Sequence, residues 1–467
     1  MFATLPEALA HWAETSPGAR ALSQREEELS YAELAELVDD LAARVHVRPG
    51  DRVALLAGNR IEWLLALYAC LRAGAIAVPL NTRLGRLELE RQLAVCEPRV
   101  VLADEERLGL VPEAVPIERI WKQPRRNVGV PPPPEAPAVI SFTSGTTGAP
   151  KGATITHGAL ARAAASYVEV MATEPGETTT VLVPLFHNTG FVDGAAHLLL
   201  VGGAVDLVEE FSRLAALDAL ACRPAGFLIA VPSIVRLLTL HERADDAFAR
   251  CRVLAYGGSS TPPAWRGELA ARWPHLRLFD VYGLTEFTSI SHVVGPADEP
   301  RPGSIGRPVP GVAQRLVDGE LWLAGPTRMV GYWRAEAEAV LRGEWLRTGD
   351  LGEILPDGSV TLQGRAADVI NRGGEKIHPA QVEAALADLP AVAEAAVVGA
   401  PHPVLGERVV ACVTVRNGAE LDEAAVRLHL RDRVADYAIP EQLLVVDELP
   451  RNGAGKVDRA LVRELAP

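Results

Sequence analysis

Between residues 139 and 152 the chain concentrates groups that suit a phosphate. A short apolar stretch, Val139-Ile140-Ser141-Phe142, runs directly into Thr143-Ser144-Gly145-Thr146-Thr147-Gly148-Ala149-Pro150-Lys151-Gly152. Thr143, Ser144, Thr146 and Thr147 carry hydroxyls, and Gly145 and Gly148 allow the backbone to approach a ligand closely. Such a loop can surround a polyphosphate with N–H and O–H donors while Lys151 adds a positive point charge. It is not the Walker pattern: Gly148 follows Gly145 by three residues and Lys151 follows it by six. By composition alone the stretch equally suits a flexible surface loop. The strand before it and the single lysine favour phosphate.

Elements able to position this loop are legible around it. Helical periodicity covers 31–45, a buried strand 51–57, a helix 61–72 closed by Gly74, and a strand 75–80. The same grammar returns as strand 204–208 with helix 214–222, and strand 252–255 with helix 264–273. Alternation of this kind predicts βαβ units, parallel sheets and helical cover, an α/β fold with a large multi-sheet N-terminal domain. Pro131 to Pro137 (PPPPEAP) is a stiff polyproline-like approach to the loop. Asp357-Gly358 reads as a hairpin turn between strands 352–355 and 359–363. After Gly364 the pattern restarts as helix, strand, strand, helix, strand. We therefore expect an N-terminal domain over 1–363 and a small α+β domain over 364–467.

Composition narrows the function. The 467 residues are 48% hydrophobic and 23% charged, a globular mixture with ample length for a large core. The net charge of −14 argues against general nucleic-acid or anionic-membrane binding, yet permits one local anion site. Cys70, Cys96, Cys222, Cys251 and Cys412 are scattered and never form a CxxC pair, so neither a disulfide framework nor a zinc site is expected. Residues 1–10 lack a basic region followed by an apolar one, and apolar stretches are interrupted by charge, so no leader or membrane span is expected. Reduced thiols in a cytoplasmic protein are the expectation.

The stretch SFTSGTTGAPKGATITH resembles the signature of the adenylate-forming enzymes, the superfamily of acyl- and aryl-CoA synthetases, nonribosomal-peptide adenylation domains and luciferases. Further segments resemble that family in its own order across nearly the whole chain. Tyr256-Gly257-Gly258-Ser259-Ser260 resembles the adenine-binding loop, giving Gly258, Ser259 and Ser260 as nucleotide contacts. In Val281-Tyr282-Gly283-Leu284-Thr285-Glu286 the resemblance implies that Tyr282 stacks on adenine beside Gly283, Thr285 bonds a phosphate and Glu286 holds Mg2+. Those chemistries match the residue types. A segment from Glu320-Leu321-Trp322 to Tyr332-Trp333 precedes Trp345-Leu346-Arg347-Thr348-Gly349-Asp350, in which Asp350 is implied to bind the ribose hydroxyls. Arg365 resembles the ribose- and phosphate-contacting arginine, and Gly373-Gly374 the loop beside the pantetheine tunnel. The hinge position, Lys or Asp in the family, is Ala367 here. Lys456, in the glycine-rich loop 449–459, resembles the lysine that bridges carboxylate and α-phosphate. In Val183-Pro184-Leu185-Phe186-His187-Asn188-Thr189-Gly190, His187 resembles a residue near the carboxylate, while Asn188 and Asp193 hint at a functionalised acid.

The resemblance implies an ATP-dependent carboxylic acid:CoA ligase with ATP, Mg2+ and CoA as cofactor and co-substrates. An acyl-AMP forms with release of pyrophosphate, the C-terminal domain rotates, and a thiol takes the acyl group. Alternatives on the same residues are transfer to an acyl carrier protein or to a non-thiol acceptor and, more remotely, a non-catalytic nucleotide sensor. With no carrier domain after Pro467, a nonribosomal adenylation domain is not expected. A monomer or homodimer is expected.

Overall fold

The structure, a computed structural model, describes residues 2–118, 128–143, 150–258, 261, 263–299, 301–335, 340–365, 368–372, 375–403, 405–416, 419, 421–431, 433–452 and 455–466. Two compact units are distinguished. One comprises Met1–Pro300, Ile305–Gln314 and Leu323–Leu346, and the other Arg301–Ser304, Arg315–Trp322 and Arg347–Pro467.

In the first unit, one sheet runs in the order Ser304–Pro308, Ile290–Val294, Arg277–Gly283, Val253–Gly257, Phe227–Ala230, Thr178–Val181, Ala204–Leu207, Arg20–Gln24, Glu27–Ser30. Its middle strands pair in parallel, from Arg277–Gly283 to Arg20–Gln24, and its two ends are antiparallel. A second sheet runs Gly331–Tyr332, Lys151–Thr156, Pro137–Thr143, Ile76–Pro79, Arg52–Leu56, Val100–Ala103, Val115–Pro116. Alternation along each strand serves two cores. Val53 and Leu55 join one apolar cluster while Ala54 and Leu56 join another. Phe227, Ile229, Val253 and Ala255 share the first cluster, and Leu228, Ala230, Leu254 and Tyr256 lie in a third. Strands covered on both faces therefore read as unbroken apolar runs, as parallel sheets do. Helix Ile61–Ala73 is buried over most of its circumference, including Trp63 and Tyr68. That matches its lack of a polar face, since an all-round apolar helix must lie inside.

The predicted helix 31–45 is Tyr31–Arg44, started by a reciprocal Ser30–Glu33 capping box. Predicted strand 51–57 is Arg52–Leu56, helix 61–72 is Ile61–Ala73 and strand 75–80 is Ile76–Pro79. The later pairs are Ala204–Leu207 with Arg213–Cys222, and Val253–Gly257 with Pro263–Arg272.

The second unit carries most of the strand series Ala313–Val317, Glu320–Ala324, Trp345–Ile354, Val360–Arg365, the last two of which pair antiparallel. The hairpin at Asp357-Gly358 is present, with Gly358 at φ +81° and Ser359 Oγ donating to Asp357 Oδ1 at 2.6 Å. Its strands extend further than their apolar residues suggest. After them come the hairpin Ile370–Arg372 and Glu375–Ile377, then helix Pro379–Ala387. The long pair Val392–His402 and Gly406–Val415 follows, then helix Glu423–Arg431, strand Gln442–Val445 and helix Arg459–Leu465. This is the expected helix–strand–strand–helix–strand restart with a short hairpin before it and a helix after it.

Candidate functional site

The phosphate-loop sequence joins two antiparallel strands. Thr143, closing Pro137–Thr143, lies opposite Lys151, opening Lys151–Thr156, and Phe142 lies opposite Gly152. Ser144, Gly145, Thr146 and Thr147 lie outside the described residues. Thr143 Oγ1 reaches the Lys151 carbonyl at 3.5 Å, a marginal contact. The hairpin therefore fixes where the loop leaves and returns, with Lys151 at its mouth.

A third segment braces this mouth. Val330 N–H donates to the Thr154 carbonyl at 3.0 Å, Trp333 N–H to the Gly152 carbonyl at 2.7 Å, and Tyr332 pairs with Ala153. Met329 N–H donates to the Glu286 carbonyl at 2.9 Å. The Tyr332 hydroxyl donates to Glu286 Oε1 at 2.9 Å, and Lys151 Nζ sits 5.6 Å over the Tyr332 ring. Burial and the Glu286 carboxylate hold the Tyr332 phenol well above its ordinary pKa, so it remains a donor. Lys151 and Glu286, 135 positions apart in sequence, thus meet on one tyrosine.

Strand Arg277–Gly283 carries Tyr282 and Gly283 into the turn Thr285–Phe287. A Cβ on Gly283 would fall 2.0 Å from the Ser289 carbonyl oxygen, so only glycine permits this reversal. Thr288 stands at φ +61°, a strained conformation for a β-branched residue, with its hydroxyl donating to Thr327 O at 2.6 Å. Tyr282 lies across from His292 in the strand register, and their rings meet edge to face at 5.9 Å. His292 is fully enclosed, its Nε2 lies 2.7 Å from Gln314 Oε1, and burial pushes its pKa down to about 4. A neutral ring therefore supports Tyr282. Gly258 follows the neighbouring strand Val253–Gly257, while Ser259 and Ser260 lie outside the described residues.

His187 is half-buried, its ring 4.4 Å from that of Phe186. Next to it Asn188 spans two motifs: its Oδ1 accepts from Ser141 Oγ at 3.0 Å, and its Nδ2 donates to Thr288 O. Residues Thr189–Ala196 form a π-helical stretch, a form that often marks functional positions. Asp193 within it is buried, accepts from Ser289 Oγ and forms a chain with Tyr167, whose hydroxyl is 3.1 Å from Ser289 Oγ. Burial pushes its pKa up to about 7. Both polar residues read from sequence as hints about the acid are engaged by the protein itself.

In the second unit Asp350 and Arg365 are opposite in register, and Arg365 Nε lies 3.0 Å from Asp350 Oδ1. Glu320 sets this segment: Oε1 accepts from Gly349 N–H at 3.0 Å and Oε2 from Arg347 Nε at 3.0 Å. Thr348 Oγ1 accepts from Asp350 N–H at 3.0 Å while donating to Leu321 O at 2.7 Å. Lys456 is exposed, in a loop closed by Asn452 N–H to Lys456 O at 2.8 Å and by Lys456 N–H to Asn452 Oδ1 at 3.2 Å. Asp458 then caps helix Arg459–Leu465. Ala367, Gly373 and Gly374 lie outside the described residues.

Sequence reasoning assigned no role to Tyr332, His292 or Glu320, and it read Asn188 only as a hint about the acid. Glu320 and Tyr332 fell inside a quoted segment without a chemical reason, and His292 had no local pattern to find it. A Mg2+ ion fits this set. Among the described residues no cluster of three or more His, Cys, Asp or Glu could hold a metal alone. Mg2+ needs only one or two carboxylates when substrate phosphates and water complete its shell. Glu286, half-buried within the turn Thr285–Phe287 and already oriented by Tyr332, meets that requirement.

Residues 9–333 match the AMP-binding enzyme family and residues 381–456 its C-terminal domain. The chain is 33% identical over 490 residues to the indoleacetate–CoA ligase of Aromatoleum aromaticum, covering 96% of this chain and 95% of that protein. It is 34% identical over 483 residues to a feruloyl-CoA synthase of an Amycolatopsis species, with 97% and 96% covered. The o-succinylbenzoate CoA synthetase of Bacillus subtilis in complex with its acyl-adenylate superimposes with a TM-score of 0.88 at 28% identity, covering 98% and 97% of the two chains. The same enzyme with ATP and magnesium ion gives 0.86 at 29% identity, with 96% and 98% covered. No described helix is long and apolar enough to cross a membrane. The chain belongs to the AMP-binding enzymes, and it is an ATP- and Mg2+-using acid:CoA ligase that works through an acyl-adenylate.

Proposed function

We propose the following division of labour within this ligase, together with a ring-bearing carboxylic acid as its substrate. The names of the two curated relatives, for indoleacetate and ferulate, support the ring. The observation that most supports the assignment of roles is the meeting of Lys151 and Glu286 on Tyr332, at the mouth of the hydroxyl-rich loop.

A carboxylate cannot expel oxide, so it must first gain a leaving group. One carboxylate oxygen attacks the α-phosphorus of ATP, the bond to the bridging oxygen breaks, and pyrophosphate departs with the electron pair. Both reactants are anions, so positive charge and orientation carry the catalysis. Thr143, Ser144, Gly145, Thr146 and Thr147 wrap the phosphates, with Lys151 as their counter-charge. Tyr282 stacks on adenine beside Gly258, Gly283, Ser259 and Ser260. Thr285 bonds phosphate, and Asp350 with Arg365 holds the ribose. Mg2+ on Glu286 would supply neutralisation of the pyrophosphate charge. Lys456 supplies positive charge where carboxylate and α-phosphate meet, and His187 borders the carboxylate. In the second half-reaction the CoA sulfur, having lost its proton, attacks the acyl carbon and AMP leaves. Gly373 and Gly374 border the pantetheine. Residues 364–467 form a separately moving domain after 1–363, turning near Ala367. A cytoplasmic setting is supported by five free cysteines, four of them buried.

The test is pyrophosphate release with ATP and Mg2+ over fatty, aryl and dicarboxylic acids, each with and without CoA. Release stimulated by CoA, with a thioester seen by mass for aryl acids alone, is expected. Release indifferent to CoA moves the acceptor to a carrier-protein phosphopantetheine or a non-thiol nucleophile. Preference for a linear acid removes the ring.

A further inference from the structure

Tyr332 has two contacts whose combination is informative. Its hydroxyl donates to Glu286 Oε1 at 2.9 Å, and its ring carries Lys151 Nζ at 5.6 Å on its face. The backbone on both sides is pinned: Met329 N–H to the Glu286 carbonyl, Val330 N–H to Thr154 O, and Trp333 N–H to Gly152 O. The backbone that carries the ring is thus tied both to the turn that carries Glu286 and to the strand that begins with Lys151. Among the described residues no ion pair joins Lys151 to Glu286, although both approach the same side chain.

We infer that Tyr332 is a positioning residue that keeps Glu286 and Lys151 apart and aimed, one for the metal and one for phosphate. The physical reason is competition. A flexible lysine and a carboxylate that both reach one side chain can pair with each other and partly cancel both charges before ATP arrives. An aromatic face offers the ammonium an alternative partner that is not an anion. A phenol hydroxyl on one carboxylate oxygen fixes the carboxylate plane and leaves the other oxygen for a cation. Hydrogen-bond partners of metal-ligating groups typically change metal affinity by about 10–100-fold when removed. Mg2+ is demanding about ligand geometry, which raises the value of a fixed carboxylate.

This rests on Glu286 as the Mg2+ ligand, and the experiment separates the two. ATP binding to the full chain is measured by calorimetry without acid or CoA, over a Mg2+ titration and in EDTA. Tyr332→Phe keeps the ring and loses the hydroxyl. It is expected to raise the Mg2+ concentration for half-maximal binding about tenfold and to leave binding in EDTA unchanged. Tyr332→Ala is expected to show the same shift and also to weaken binding in EDTA, because Lys151 is released onto Glu286. In a Glu286→Gln background Tyr332→Phe should have no further effect on the Mg2+ requirement. Wild-type Mg2+ dependence in Tyr332→Phe overturns the aiming role, and Tyr332→Ala matching Tyr332→Phe in EDTA overturns the separating role. If the wild-type protein binds ATP with no Mg2+ dependence, Glu286 as metal ligand fails and this inference fails with it.

Discussion

Asp350 and Arg365 face each other across adjacent antiparallel strands and join in an ion pair at 3.0 Å. The carboxylate is almost enclosed while the guanidinium is about half-exposed, at 6% and 54% of their accessible surface. Two residues drawn from separate motifs are therefore one device. Asp350 is fixed by Glu320 and Thr348 behind it and by Arg365 in front.

Arg365→Ala should separate binding from stability. Because Arg365 is half in solvent, its loss should change folding stability by no more than about 1 kcal/mol. The KM for ATP should rise about tenfold, equivalent to about 1.4 kcal/mol. Arg365→Lys should restore little, since a point charge does not reproduce the planar fork. An unchanged KM in the alanine variant would remove Arg365 from the ribose site.

Lys456→Ala should cut acid-dependent pyrophosphate release by about 100-fold or more, the scale of one lost transition-state charge. ATP affinity should stay within about threefold, because the interaction is made in the transition state rather than on binding. Thioester formation from supplied acyl-adenylate and CoA should persist. Equal loss in both half-reactions would sink the assignment.

Asp193→Asn should become relatively more stable as pH rises. Burial raises the folded pKa of Asp193 to about 7, against 3.8 for the free group. The folded protein therefore binds more protons than the unfolded chain between those values, and wild-type stability falls as pH rises through that window. Asparagine keeps an acceptor for Ser289 and cannot ionise. Its advantage over wild type should grow by up to about 4 kcal/mol between pH 4 and 7. Thermal melts of both proteins across that range decide it, and parallel curves would mean Asp193 does not titrate there.

His157 predicts the opposite limb. Its ring is buried, neither nitrogen has a hydrogen-bond partner among the described residues, and burial pushes its pKa down to about 4 from 6.5. Its folded pKa lies below its unfolded one, so stability is complete above pH 6.5 and is lost as pH falls towards 4. His157→Leu should remove about 3 kcal/mol of that acid sensitivity. Denaturant midpoints at pH 4.5 and 7.5 give the comparison. An acid slope identical to wild type would exclude the ring as its source.

Local signals along the chain announce the elements and the functional groups of each motif. Helix Ile61–Ala73 was legible from its apolar run and Gly74, the Asp357-Gly358 turn from its dipeptide, and the loop mouth from Thr143 and Lys151. Those signals are local: a side-chain period, a backbone allowed only to glycine, or a functional group whose chemistry suits a ligand. Which groups meet was decided by strand register and packing over long separations. Tyr332 reaches Glu286 only because Gly331–Tyr332 pairs with Lys151–Thr156. Asn188 had looked like a feature of the acid pocket, yet it joins Ser141 to Thr288. Asp193 is saturated by Ser289 and its neighbours inside a π-helical stretch that no local pattern announces. A residue's type states what it can bond. Its partner is fixed by tertiary packing, because a buried polar group must be satisfied by whatever the fold brings beside it.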